Sequence, residues 1–344
     1  MKATHFKTLF VVISDGLRSH RTISLFARSL LAMLLVGCAV TSALAQSPQV
    51  FVSARTGVDT GTCNVASPCR MVNYALTQVK VGGQVLIVDS GTYDSSISIT
   101  KNVTIAAAPG VAAVFSVAAI NGSIFGFNYP PSSCMKAGDC HTLVLRNLIF
   151  DGQGVTQDAM RTAGIRLLAE DCTFTGFRFG VLVIGSGRYQ FKNCLFNFME
   201  TGVYLTPNTS GADAQYQTLA VVEDCRFAEL TVSGIEIFTG PLGSNTLRAA
   251  VRDSLFNHVE TAIRSDASTG GSIQVDVESC EITNNSAGLA SLFTGSTVRV
   301  SNSVITGNVI GLLTDSGGLL LSRRNNTVEN NNTNGAFTGI VTAK

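Results

Sequence analysis

Six residues in the central part of the chain have side chains that could act together on a polar ligand. Of two carboxylic acids, one can protonate a leaving oxygen while the other activates water, and a histidine can serve as a general base. An arginine beside them would hold an acidic ligand. The same charges could instead pair across a sheet and keep the surface soluble. The residues are Glu200, Tyr204, Glu236, His258, Glu260 and Arg264.

These residues lie within a repeat that must position them. Segments such as Glu170-Asp171-Cys172-Thr173-Phe174 recur, each with an apolar anchor residue at its end. Successive anchors are 22 to 31 residues apart, a period that predicts a solenoid. Apolar and polar residues alternate around the anchors, which predicts strands rather than helices. The anchors are Phe150, Phe174, Phe196, Phe227, Phe256, Ile282, Ile305 and Val328.

Each repeat has a short polar residue between two predicted strands, which favours a bend with a left-handed backbone. Beside the bends, we expect the side chains of Cys172, Cys194 and Cys225 to stack inward with free thiols, because parallel stacking aims their Cβ bonds alike. Phe174, Phe196 and Phe227 should form an interior stack next to them. The predicted bend residues are Asn147, Asp171, Asn193, Asp224, Asp253, Ser279, Asn302 and Asn325.

The asparagine-type bends, together with pairs such as Gly202-Val203 that begin a third strand, resemble the pectin-lyase-like superfamily. The opening, with Phe51-Val52-Ser53 and Ser90-Gly91-Thr92-Tyr93, is similar to secreted bacterial β-helix repeat proteins. The resemblance implies an all-β fold, a single-stranded right-handed parallel β-helix, with a short N-terminal capping helix. Residues 46–80 would form the N-terminal cap region and residues 81–344 the β-helix.

In enzymes of this superfamily the substrate groove lies along the sheet that begins with the glycine pairs. The resemblance therefore places Tyr204, Glu236 and Arg264 outward on successive coils, with Tyr204 and Arg264 as substrate-binding candidates. Glu200 and Glu260 would lie two coils apart, roughly 9–10 Å, at the wide edge for an inverting pair. The catalytic candidates are Glu236, Glu260, Glu200 and His258. The sequence lacks the Asn-Thr-Asp and Gly-His-Gly motifs of polygalacturonases, so that activity is not carried over.

The first 45 residues predict export. An apolar run from Leu30 to Val40 precedes Ala43-Leu44-Ala45, the small-residue pattern of a signal peptidase site, so we expect residues 1–45 to be a signal peptide. Alternatively, Leu35-Val36-Gly37-Cys38 resembles a lipobox, and the protein would then be a lipoprotein anchored through Cys38. The remaining chain carries 19 basic and 22 acidic residues, which argues against a nucleic-acid partner.

Four other cysteines are expected to form two short disulfide loops in an oxidising compartment, Cys63 with Cys69 and Cys134 with Cys140. No metal, cofactor or transmembrane span of the mature protein is predicted, and the oligomeric state is left open. Two functions remain. One is an exported surface-structural or glycan-binding scaffold for envelope or extracellular polysaccharide. The alternative is a polysaccharide-acting enzyme, a lyase or glycosidase, with a groove at Tyr204, Glu236 and Arg264.

Overall fold

The computed structural model describes residues 46–93, 96–116, 123–127, 141–155, 157–207, 217–239 and 246–341. Within these residues the chain forms one helix, α1 (Val72–Gln78), and 28 strands. In chain order the strands are β1 (Ser47–Val52), β2 (Val79–Ile87), β3 (Gly91–Tyr93), β4 (Ile97–Ile99), β5 (Val103–Ala107), β6 (Ala113–Ser116), β7 (Phe125–Phe127), β8 (His141–Arg146), β9 (Leu148–Asp151), β10 (Asp158–Thr162), β11 (Ile165–Glu170), β12 (Thr173–Thr175), β13 (Phe179–Val183), β14 (Arg188–Lys192), β15 (Leu195–Leu205), β16 (Thr218–Glu223), β17 (Arg226–Phe238), β18 (Thr246–Arg252), β19 (Leu255–Asp266), β20 (Ser272–Glu278), β21 (Glu281–Thr283), β22 (Ala287–Leu292), β23 (Ser296–Ser301), β24 (Val304–Thr306), β25 (Ile310–Asp315), β26 (Leu319–Ser322), β27 (Thr327–Glu329) and β28 (Gly339–Ile340).

The named strands pair in parallel, coil upon coil, and make three long faces. The first sheet has 12 strands, ordered β1-β2-β5-β8-β11-β14-β16-β18-β20-β23-β26-β28. The second face begins at β3 and ends at β27, and the third face runs from β4 to β25. The long strands β15, β17 and β19 bend and contribute to both the second and the third face. The predicted parallel β-helix with one short N-terminal helix is therefore confirmed.

A column of aromatic rings fills the interior behind the second face. Phe150, Phe174, Phe196, Phe227 and Phe256 stack with ring centroids 4.7–4.9 Å apart and planes within 4° of parallel. Each of them is fully buried. The predicted interior stack is confirmed, and it extends further toward the N-terminus than predicted, through Phe115 and Tyr93. Ile282, Ile305 and Val328 continue the same column toward the C-terminus.

Thiols and hydroxyls share a second interior column beside the first bend. The free thiols of Cys172, Cys194, Cys225 and Cys280 are buried there, as predicted for the first three. Each thiol donates to the carbonyl two residues earlier in the chain, at 3.2–3.3 Å. Ser254 takes the same position one coil after Cys225, and its hydroxyl makes the equivalent bond at 2.8 Å. A short donor at this position thus stabilises the bend.

The first bend adopts the left-handed backbone predicted for it at seven of the eight positions, from Asn147 to Asn302, with φ between 47° and 55°. At the last bend the prediction of Asn325 is wrong, because Arg324 has the positive φ, 68°. The cause is one additional residue: Val300 pairs with Ser322, but Val304 pairs with Thr327. Counting back from the second strand therefore missed the bend by one position.

A column of alternating charges runs along the outer surface of the first sheet, at the ends of its strands. Each member lies directly opposite a residue of the other sign on the next coil, an arrangement that stabilises paired strands. Arg146 and Glu170 approach to 2.5 Å. The alternating column consists of Arg146, Glu170, Lys192, Glu223, Arg252 and Glu278.

At the N-terminal end, the short helix α1 buries Val72, Ala75 and Leu76. Cys63 and Cys69 form a disulfide with Cα atoms 4.9 Å apart, as expected. The second expected disulfide, Cys134 with Cys140, lies outside the described residues, as do the predicted signal peptide and Cys38.

Candidate functional site

A second column of left-handed bends separates the second face from the third, and the sequence analysis missed it. Gly176, Asn284, Gly307 and Asn330 suit such a backbone, but Phe198, Glu229 and His258 take the equivalent positions on three consecutive coils, with φ of 53°, 57° and 55°. A bulky residue at positive φ is strained, and strain of this kind concentrates at functional sites. The available signal was spacing, since each bend lies two residues after its apolar anchor.

The three strained residues line a cleft of about 470 Å³. We call this the bend cleft. The Phe198 side chain is 64% exposed, which is unusual because large apolar side chains are mostly buried. Glu200 and Arg178 also lie in the wall, and the bottom is apolar. The lining residues are Gly154, Val155, Gly176, Phe177, Arg178, Phe198, Met199, Glu200, Glu229, Leu230, Thr231 and His258.

The same three coils bring Tyr204, Glu236 and Arg264 together on the third face. The three residues lie directly opposite one another on β15, β17 and β19, in the predicted register. Arg264 Nη2 donates to Asp266 Oδ2 at 2.9 Å, and Arg264 Nε lies 3.8 Å from Glu236 Oε1. That Nε is buried and has no hydrogen-bond partner among the described residues. The 3.8 Å separation is longer than a hydrogen bond, so Asp266 rather than Glu236 orients the Arg264 guanidinium.

The ionisable groups on the third face are perturbed by burial and by one another. Burial raises the pKa of Glu236, an effect that Arg264 opposes and Asp266 reinforces. Burial, followed by the charge of Glu236, also raises the pKa of Tyr204. Burial alone would raise the pKa of Asp266, but hydrogen bonds from Arg264 and Ser268 outweigh it and lower that pKa. Of these two carboxyl groups, Glu236 therefore holds a proton more readily than Asp266.

The remaining predicted acids do not converge. Glu200 pairs with Arg178 on the preceding coil at 3.5 Å, whereas Glu260 accepts a hydrogen bond from Ser286 on the following coil at 2.8 Å. Their partners lie on opposite sides, so the two carboxylates point away from each other, although they occupy equivalent positions two coils apart. His258 Nδ1 lies 3.6 Å from Glu229 Oε1, and both side chains are exposed.

Sequence reasoning did not identify the aromatic and acidic residues that surround the predicted set. Phe179 packs against Tyr204 with ring centroids 5.2 Å apart, and the Arg178 guanidinium lies 4.6 Å from the centre of the Phe179 ring. Asp266 is the last residue of β19. It was not predicted because the outward residues of this strand were assigned only as far as Arg264. Asp158, whose pKa burial raises, pairs with Arg161 at 3.3 Å on an earlier coil of the same face.

In the part of the chain that the structure describes, no group of three or more His, Cys, Asp or Glu side chains is placed to hold a metal ion. Over the same residues, no helix has the length and apolar character needed to cross a bilayer.

A family model described as the right handed beta helix region matches residues 159–333. No curated protein matches the sequence. Among solved structures, pectate lyase Pel9A has a TM-score of 0.47 and 16% identity, over 87% of this chain and 81% of that one. A rhamnogalacturonan lyase has a TM-score of 0.46 and 14% identity, over 84% and 88%. A lacto-N-biosidase from Eubacterium ramulus has a TM-score of 0.38 and 10% identity, over 93% and 70%. A likeness of fold at such identities does not carry an activity with it.

Proposed function

The chain belongs to the family described as the right handed beta helix region, and we propose that it is an exported scaffold whose bend cleft and third face bind carbohydrate. One observation carries the proposal. On three consecutive coils, strained backbone holds Phe198, Glu229 and His258 at the bend cleft, and the same coils present Tyr204, Glu236 and Arg264 a few residues later. Envelope or extracellular polysaccharide is the proposed partner.

The chemistry of these coils suits a saccharide. The exposed Phe198 ring offers an apolar face, and Tyr204 offers a second ring with a polar tip. Around them Arg178 lies 3.5 Å from Glu200, and Arg264 lies 2.9 Å from Asp266, so these coils offer both cationic and anionic hydrogen-bonding groups to a ligand. Each of the acids Glu200, Glu229, Glu236 and Glu260 has a basic or hydroxyl neighbour. This pairing supports binding over catalysis, since catalysis by two carboxyl groups requires convergent acids.

Phe198 provides the sharpest test, because its ring and its backbone strain can be separated. Phe198→Asn removes the ring but supplies the residue that already forms this bend at Asn284 and Asn330. We expect this variant to unfold at an equal or higher temperature and to lose binding to the polysaccharide that the wild type retains in affinity electrophoresis. The search for that polysaccharide would use a panel of neutral and acidic polymers.

The matched control is Phe293→Asn. Phe293 is also exposed and also has a positive φ, 66°, but it does not line the bend cleft. It should gain the same stability with no change in binding. Equal retention by wild type and Phe198→Asn would contradict the proposal. Tyr204→Phe should keep most of the affinity and Tyr204→Ala should lose it, whereas Arg264→Gln should weaken binding of acidic polymers selectively.

The raised pKa of Glu236 supports a second candidate function, a polysaccharide lyase or glycosidase in which Glu236 is the general acid. The candidate requires the protonated form, so activity should fall as the pH rises through the elevated pKa of Glu236. Glu236→Gln should abolish the release of reducing or unsaturated ends with little change in thermal unfolding. Full turnover by this variant, on any polymer that the wild type cleaves, would exclude Glu236 as the acid.

We also propose that export removes residues 1–45. N-terminal sequencing of the protein recovered from the periplasm or medium should begin at Gln46. Recovery in the membrane fraction, released by Cys38→Ala, would instead support the lipoprotein.

A further inference from the structure

A second cleft lies on the outer surface of the first sheet, away from the coils' third face. It has a volume of about 430 Å³ and spans four successive strands, β8, β11, β14 and β16. We call it the sheet cleft. Its lining residues are Thr142, Val144, Arg166, Leu167, Leu168, Arg188, Tyr189, Gln190, Leu219 and Val221.

Two arginines in the sheet cleft are placed so that their positive charges repel each other. Arg166 and Arg188 lie directly opposite each other on neighbouring strands, and like charges in this position repel. Neither forms an ion pair with a described residue. Four residues further along the same two strands, Glu170 and Lys192 are paired by opposite charge as members of the alternating column. That neither arginine pairs with an acid among the described residues is a local departure from the way the alternating column arranges its charges.

Most of the other outward residues of the sheet cleft are aliphatic, and Thr142 and Gln190 are the polar exceptions. Val144, Leu168, Leu219 and Val221 present their side chains outward around the two arginines. The one aromatic residue in the lining, Tyr189, is 1% exposed, and its hydroxyl donates to Gly185 O. The surface therefore lacks the exposed ring that favours a sugar, but it offers aliphatic area to an alkyl chain, whose burial is favourable in proportion to that area.

We infer that the sheet cleft binds an alkyl carboxylate, a monomeric fatty-acid-like anion. The two guanidinium groups extend from adjacent strands, which lie about 4.8 Å apart. Both can donate to one carboxylate and so exchange mutual repulsion for charge-assisted hydrogen bonds. The alkyl chain would lie over Val144 and Leu168 on one side or Leu219 and Val221 on the other. This inference does not depend on carbohydrate binding at the bend cleft.

Titration calorimetry of the purified protein with dodecanoate, below its micelle concentration, tests the inference. The wild type should bind one dodecanoate. Arg166→Gln combined with Arg188→Gln should weaken binding about tenfold or more, as expected for lost charged hydrogen bonds. The matched control is Arg248→Gln, an exposed arginine in the same column of the sheet but outside the cleft, and its affinity should equal that of the wild type.

The contributions of the ligand's negative charge and of its alkyl chain are tested separately. Dodecyltrimethylammonium, with the same tail and the opposite charge, should not bind, and hexanoate should bind more weakly than dodecanoate. Without ligand, the double variant should unfold at an equal or higher temperature, because the repulsion is relieved. No dodecanoate binding by the wild type would overturn the inference, as would equal affinity in the double variant. Arginine-dependent binding only to phosphatidylglycerol vesicles or to polygalacturonate would overturn it as well and indicate a different occupant.

Discussion

The coils up to Val259 and the coils from Ile282 onward share the same strands and bends but differ in the side chains that fill their interiors. In the earlier coils, phenylalanines stack behind the second face, and the position after the second bend holds the apolar Phe177, Met199, Leu230 and Val259. In the later coils isoleucine replaces phenylalanine, and the position after the bend holds an asparagine ladder. Asn285 Nδ2 donates to Asn308 Oδ1 at 2.9 Å, and Asn308 Nδ2 donates to Asn331 Oδ1 at 2.8 Å.

The glycines at the start of the third strand are crowded by the next coil. A Cβ atom at Gly202 would lie 2.8 Å from the Phe227 ring and 2.7 Å from the Gly234 carbonyl oxygen, and Gly180 and Gly234 face Phe196 and Phe256 in the same way. Ala262 replaces glycine on the coil whose next anchor is Ile282, whereas Gly288 is retained opposite Ile305, where its Cβ would lie 2.5 Å from the Gly311 carbonyl oxygen. Two neighbours therefore crowd this position, the anchor ring of the early coils and the backbone of the next coil.

Among the changes that test this comparison, loss of a stacked ring should reduce the free energy of unfolding most. Phe196 packs between two parallel rings and is fully buried, so Phe196→Ala should reduce the free energy of unfolding by about 3–5 kcal/mol through the cavity it leaves. Denaturant unfolding measures the change. Val309→Ala, at an exposed site, should change the free energy by less than about 0.5 kcal/mol. A similar small effect at Phe196 would mean that the stack does not support the early coils.

In the later coils the asparagine ladder should be the equivalent support. Asn308→Leu keeps the side-chain volume but leaves the buried backbone N–H of Asn285 without its acceptor and removes one of the two acceptors of Asn285 Nδ2. Each buried unpaired group costs about 1–3 kcal/mol, so we expect a net loss near 2 kcal/mol in the same assay. The exposed Asn332→Leu is the control. A neutral Asn308→Leu would show that the later coils could be filled by apolar residues, as the early coils are.

The pairing of glycine with phenylalanine can be measured as a coupling. Gly202→Ala should cost about 1–3 kcal/mol by overpacking. In a Phe227→Ile background, which reproduces the Ala262 and Ile282 arrangement, the additional cost should fall by roughly 1 kcal/mol. Additive effects in this double-mutant cycle would indicate that the glycine is required by the neighbouring backbone and not by the ring.

The smallest effect is expected in the column of thiols and hydroxyls beside the first bend, where cysteine and serine already occupy equivalent positions. Because Ser254 makes the same hydrogen bond as the thiols in its column, Cys225→Ser should change the free energy of unfolding by less than about 1 kcal/mol. Burial raises the pKa of Cys280 to about 12, so the folded thiols should resist alkylation. Thiol titration of the unfolded, unreduced mature protein should find four groups, and three in Cys225→Ser. More than four would mean that an expected disulfide is not formed.

The strands and the first bend of each coil could be predicted from the sequence because the residues that indicate them are close together and recur in each repeat. The anchors, the aspartate and asparagine bends and the inward cysteines each recur at a fixed place in the coil. The second bend was missed because phenylalanine, glutamate and histidine are not residues that predict a left-handed backbone. Asn325 was misplaced because a one-residue insertion is invisible without strand pairing. The partners of Glu200 and Glu260 depend on rotamers and neighbouring coils, which no single-coil pattern records.

The alternating column on the first sheet restricts how a solenoid of this kind can lengthen. Copying a single coil would place two like charges opposite each other at the junction, for example Glu223 against a second Glu223. Copying two successive coils would preserve the order of signs along the column. Within the alternating column, the unit that preserves the charge order is therefore a pair of coils, whereas the strands and bends recur with every coil.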